Sequence, residues 1–115
     1  MADATMRHGD PVMIDYTPGS GNVAAGDVIL LGNTTGLTCV IAHRDIENNV
    51  LGAVAAGRGV YEVINLNNAA NGAKVYWDGT KVTTVSTNHA LFGFIVRDGQ
   101  GGDNSACLAL HHPYV

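Results

Sequence analysis

Residues Gly72 to Val85 read as one complete β-hairpin carrying the chain's single tryptophan, and a chain built around such a unit is committed to sheet architecture. Asp78-Gly79 is its expected turn, because this pair tolerates the positive φ angles of a two-residue type I′ turn, whose twist matches the flanking strands. That turn sets Trp77 opposite Thr80 and Val75 opposite Val82 on one face. Tyr76 then faces Lys81, and Lys74 faces Thr83, on the other. One face is apolar and the other amphiphilic, the pattern of a strand that covers a core on one side and meets water or a partner on its back.

Similar short runs recur along the chain between clusters of turn residues. Val12–Tyr16 is closed by Thr17-Pro18-Gly19-Ser20-Gly21-Asn22, and Val28–Leu31 is bracketed by Gly26-Asp27 and Gly32-Asn33. Leu37–Ala42, after a Thr34-Thr35-Gly36 turn, is too short for a helix and rich enough in Val and Ile for a buried strand. Between His43 and Ala56, Ile46, Val50 and Val54 recur at helical spacing behind Asp45. Gly52 and Gly57 oppose a helix there, each costing about 1 kcal/mol relative to alanine, so the segment reads as a loop to Asn49 and an extended Val50–Ala55. Val60–Leu66, Leu91–Arg97 and Ala106–Leu110 complete the set. Asn67–Asn71 reads as a polar connection and Asp98–Asp103 as a flexible exposed loop.

These signals predict an all-β chain: a single small β-sandwich or β-barrel spanning residues 10–115, preceded by an arm over residues 1–9. A chain of 115 residues suffices for one domain that buries roughly two-thirds of its unfolded surface. The arm, with Thr5, Met6, Arg7 and His8, has no fold-forming pattern and reads as disordered or as ordered only on a partner.

Charged residues make up 14% of the chain, against about 25% in ordinary soluble proteins. Either copies of the chain or a partner cover part of the surface, or that surface is polar without charge, built of Thr, Asn and Gly. The net charge is -4 with six scattered Lys and Arg, which leaves no basic stripe for nucleic acid. No apolar run reaches membrane-spanning length, and Met-Ala-Asp-Ala-Thr-Met-Arg-His lacks the hydrophobic core of a signal peptide, so synthesis in the cytosol is expected. Cys39 and Cys107 lie in apolar runs without CxxC spacing and read as buried free thiols.

Chemistry has little to stand on. The five histidines show no HxH or HxxxH spacing, and His111 and His112, adjacent in a strand, point to opposite faces, so no metal or other cofactor is expected. His111, His112 and Tyr114 form either a polar-aromatic tail at an interface or a solvated end. No Gly-x-Ser-x-Gly elbow occurs, the acids sit mostly beside glycines in turns, and a phosphate loop fails because Val75 stands where Ser or Thr is required. Trp77 reads as core against Val75 and Val82, or as an aromatic anchor between subunits. Tyr76, Trp77, His111, His112 and Tyr114 are the candidate contacts between copies.

The runs at Gly26-Asp27-Val28, Gly59-Val60-Tyr61-Glu62-Val63, Gly72-Ala73-Lys74-Val75-Tyr76-Trp77-Asp78 and Leu91-Phe92-Gly93-Phe94-Ile95 together resemble the small capsid cement, or decoration, proteins of tailed phages. The likeness covers roughly Gly9 to Leu110, and the Val-Tyr-Trp-Asp hairpin is its most specific part. Relatives often carry Leu-Pro-Lys where this chain has Val63-Ile64-Asn65. The resemblance implies an all-β domain without catalysis that assembles, often as a homotrimer, on the outer face of the virion head and locks major capsid protein subunits together. In such a protein the Thr5–His8 arm would lie along a capsid subunit. The alternative is a tail or head-fibre domain binding host glycans through Tyr61, Tyr76 or Trp77.

Overall fold

The computed structural model describes residues 4–31, 38–87 and 89–113. They form ten strands: β1 Thr5–Gly9, β2 Met13–Tyr16, β3 Val28–Leu31, β4 Thr38–Ala42, β5 Gly52–Ala55, β6 Gly59–Asn65, β7 Lys74–Trp77, β8 Val82–Thr83, β9 Ala90–Arg97 and β10 Ser105–His111. The all-β expectation holds, and the architecture is a barrel carrying a second sheet. Strands β6, β10, β9, β7 and β8 pair in that order, and a β6–β8 pairing closes the ring. Closure runs through Asn65 and Val82 in parallel register, with the Leu66 amide donating to the Val82 carbonyl at 2.9 Å. Full closure removes the free edges of the five-stranded ring.

Alternation dictates what the barrel encloses. In β6, Tyr61, Val63 and Asn65 point inward while Val60, Glu62 and Ile64 lie half-buried on the outside. Val75 and Trp77 from β7, Val82 from β8, Phe92 and Ile95 from β9, and Cys107 and Ala109 from β10 fill the same core.

The second sheet, in order β2-β5-β4-β3, rests on this barrel through β4. Cys39 and Ile41 point into the barrel core; Val40 and Ala42 point the other way, into a smaller cluster with Ile46 and Val54. Both faces of β4 are therefore apolar and covered, which is why Leu37–Ala42 reads as continuously hydrophobic.

Three expectations need correction. The Asp78-Gly79 turn is not a two-residue turn: Trp77 pairs with Val82 and Tyr76 with Thr83, a register two residues longer than the type I′ geometry gives. Asp78 Oδ1 accepts from the amides of Thr80 (2.9 Å) and Lys81 (2.7 Å), so the side chain caps a four-residue connection. A shift of two preserves which face each residue takes, and Val75, Trp77 and Val82 are still the buried set. Second, the N-terminal segment has a place in the fold, since β1 pairs antiparallel with β6 from Thr5↔Glu62 to Gly9↔Gly59. Arg7 forms an ion pair with Glu62 across that register.

Third, the Asp98–Asp103 loop is held by asparagines of the preceding connection. Asn71 Oδ1 accepts from the Gly99 amide at 2.8 Å and Asn68 Oδ1 from the Gly102 amide at 3.0 Å. The thiols of Cys39 and Cys107 are free and buried, as expected. Among the described residues, no helix is long and apolar enough to cross a membrane.

Candidate interaction surfaces and the buried histidine

Strand β2 is one of the two edge strands of the second sheet, and it is exposed on both faces. Val12, Met13 and Ile14 are 39, 45 and 36% exposed, and across the sheet Val50 and Leu51 reach 48 and 67%. Met13, Val50 and Leu51 share one hollow, and large apolar side chains this open form the kind of patch that marks contact with another protein. His43, Arg44 and Glu47 line that hollow with them. His43 also lines the adjoining hollow, beside Thr5 and Met6 of β1. The hollow beside β1 and the hollow beside β2 therefore meet at His43.

A second apolar hollow lies on the barrel wall, where Leu91 and Phe94 of β9 meet Lys74 of β7 and His112. Phe94 is 39% exposed. Composition alone does not reveal this hollow, because its residues come together only through the β7–β9 pairing.

The candidate residues separate accordingly. Thr5, Met6, Arg7 and His8 share the edge strand β1. Tyr76 and His112 are half-buried on the barrel surface. For Trp77, 2% exposed, the core reading holds and the intersubunit one falls; His111 is a correction, because at 0% exposure it too belongs to the core, where no neighbouring copy reaches it. Trp77 packs on Phe92 with ring centroids 6.0 Å apart. Tyr61 is equally buried, so neither Trp77 nor Tyr61 can stack on a sugar ring. Tyr114 lies outside the described residues.

His111 faces three elements. Its Nε2 donates to the Cys39 carbonyl on β4 at 2.9 Å, and its ring meets Tyr61 of β6 edge-on and Phe92 of β9 at a tilt. With Nε2 as donor, Nδ1 is an acceptor, and it is buried without a partner. Desolvation pushes the His111 imidazole down to about 4, against a smaller opposing effect of the Cys39 carbonyl; His112 and His43 push it further down. The Cys39 thiol, 3.6 Å from His111 Nε2, is pushed up to about 12 by burial. A nucleophilic Cys–His pair needs the opposite, a thiolate stabilised beside an imidazolium. This pair is core packing. Among the described residues, no group of three His, Cys, Asp or Glu side chains is placed to hold a metal ion.

The family model described as phage cement protein matches residues 6–110 of the chain. No curated protein and no solved structure matches the chain.

Proposed function

The chain belongs to the phage cement proteins, and from that membership we propose that it binds the outer surface of a tailed-phage head and stabilises contacts between major capsid protein subunits. The match across residues 6–110 carries this reading, and the surfaces support it. A partner strand can add to the outer edge of β1 at Thr5–His8 while apolar groups of the capsid cover Met13 and Leu51. Copies of the chain associate as a homotrimer through the barrel wall around Tyr76, Phe94 and His112. A rigid oligomer holding several weak shell contacts gains avidity when the lattice lets them engage together. Contacts that exist only on the expanded shell stabilise that state over its precursor by mass action.

The test is to mix the purified protein with precursor and expanded shells that lack it, then measure bound copies and obtain a density map. Saturable binding on the outside of expanded shells, bridging neighbouring subunits, is the expected result. Absence of binding to either shell overturns the reading.

A further inference from the structure

Two side-chain hydrogen bonds join Cys39 of β4 to the barrel: its thiol donates to the Leu91 carbonyl of β9 at 3.2 Å, and its carbonyl accepts from His111 of β10 at 2.9 Å. Just beyond β4, His43 Nε2 lies 2.6 Å from the Tyr61 hydroxyl of β6. Cys39 and the two imidazoles thus carry these polar links across the seam, while Ile41 of β4, Ala55 of β5 and Val28 of β3 pack on the barrel core beside them. Only one of these rings, His111, is wholly buried and has a nitrogen with nothing to bond.

We propose that His111 is an acid-sensitive latch: protonation of its ring undocks the four-stranded sheet from the barrel while the barrel stays closed. The bond to the Cys39 carbonyl survives protonation, since Nε2 donates in either state. What changes is Nδ1, which becomes a buried donor without an acceptor and adds a charge to an apolar core. The groups facing the ring cannot offset this. They are the Cys39 thiol on β4, the Tyr61 ring on β6 and Phe92 on β9. The titratable groups acting through space are His43 and His112, which oppose a second positive charge.

Relief requires the ring to reach water. β10 is held on both sides, by β6 and by β9, so the part free to move is β4 with its sheet. The sign follows from linkage. The closed state has the lowered imidazole and the open state an ordinary one, so the open state binds more protons and gains as pH falls from 6.5 toward 4. The latch does not rest on the capsid role.

Thiol labelling by a pyridyl disulfide, corrected for each thiol's intrinsic reactivity and compared at about pH 7.5 and about pH 5, tests it. Labelling of Cys39, buried at the seam, should rise about thirtyfold at the lower pH, with Cys107 in the barrel unchanged. His111→Gln, whose amide can still donate to the Cys39 carbonyl, should abolish the rise, and His112→Gln should keep it. If His111→Gln fails to fold, the wild-type ring titration followed by NMR decides: it must share its midpoint with seam opening. Equal loss of protection in barrel and sheet, an unchanged seam, or a pH response that persists in His111→Gln overturns the latch.

Discussion

At Gly93 the backbone has φ 153°, and an added Cβ would stand 1.8 Å from the Leu110 carbonyl oxygen of the paired strand. A backbone atom pinned in a ladder cannot retreat as a flexible side chain can, so β9 and β10 can approach this closely only where a side chain is missing. Gly93→Ala should destabilise the protein by about 3 kcal/mol or more, seen as a lower urea midpoint at unchanged m-value. A midpoint within experimental error of wild type would show that the close approach is not required. Asn65 is a second fixed position. It is fully buried, and its amide donates to the Ala69 carbonyl and accepts from the Ala69 amide, both at 2.9 Å. Asn65→Ala leaves the Ala69 amide without its acceptor, while the Ala69 carbonyl keeps the Gln100 amide at 2.9 Å, and should cost about 2 kcal/mol; no loss would mean that water replaces the side chain.

Among the elements, the strands with turn residues at both ends are the ones the sequence reveals, because Gly, Pro, Asn and Asp set their limits locally. Val28–Leu31 matches β3 to the residue. The hairpin register was not legible, since Asp78-Gly79 satisfies a two-residue turn equally well until the Asp78 carboxylate is seen to accept from both following amides. Asp78→Ala should therefore cost about 1 kcal/mol and speed hydrogen exchange at the Thr80 and Lys81 amides; unchanged exchange there would show that the carboxylate does not hold the connection. Strand β1 was missed for a different reason: Thr-Met-Arg-His-Gly has no apolar alternation, and as an edge strand outside the closed ring it needs none. Its stabilisation comes from pairing with β6 and from Ala4 and Met6 packing on the barrel core, with a small addition from the exposed Arg7–Glu62 pair. Removing residues 1–9 should thus lower the unfolding midpoint and bare the β6 edge to aggregation, measured by thermal melting and light scattering. A truncated chain as stable as the full one would show that β1 contributes nothing to the barrel.

At the scale of the whole molecule, the fold class and family were readable, while the division of aromatic residues between core and surface was not. Trp77 and His111 sit in strands whose inward face is decided by barrel closure, and closure depends on the distant Asn65–Val82 contact. What remains outside is a charge-poor exterior whose most exposed large apolar side chain, among the described residues, is Leu51, 67% open and lining the same hollow as Met13. Binding through such a surface should respond to polarity far more than to salt. Leu51→Asp places an ion where a capsid subunit would exclude water, and an exposed site lets the folded chain accept it with little change in stability. Affinity for expanded shells should fall about tenfold or more, corresponding to about 1.4 kcal/mol or more, with the melting temperature held. Raising the salt concentration to shorten the Debye length from about 10 Å to about 3 Å should change wild-type affinity much less than that substitution does. Unaltered shell occupancy for Leu51→Asp would move the contact away from the β2 patch and leave the outer edge of β1 to carry it alone.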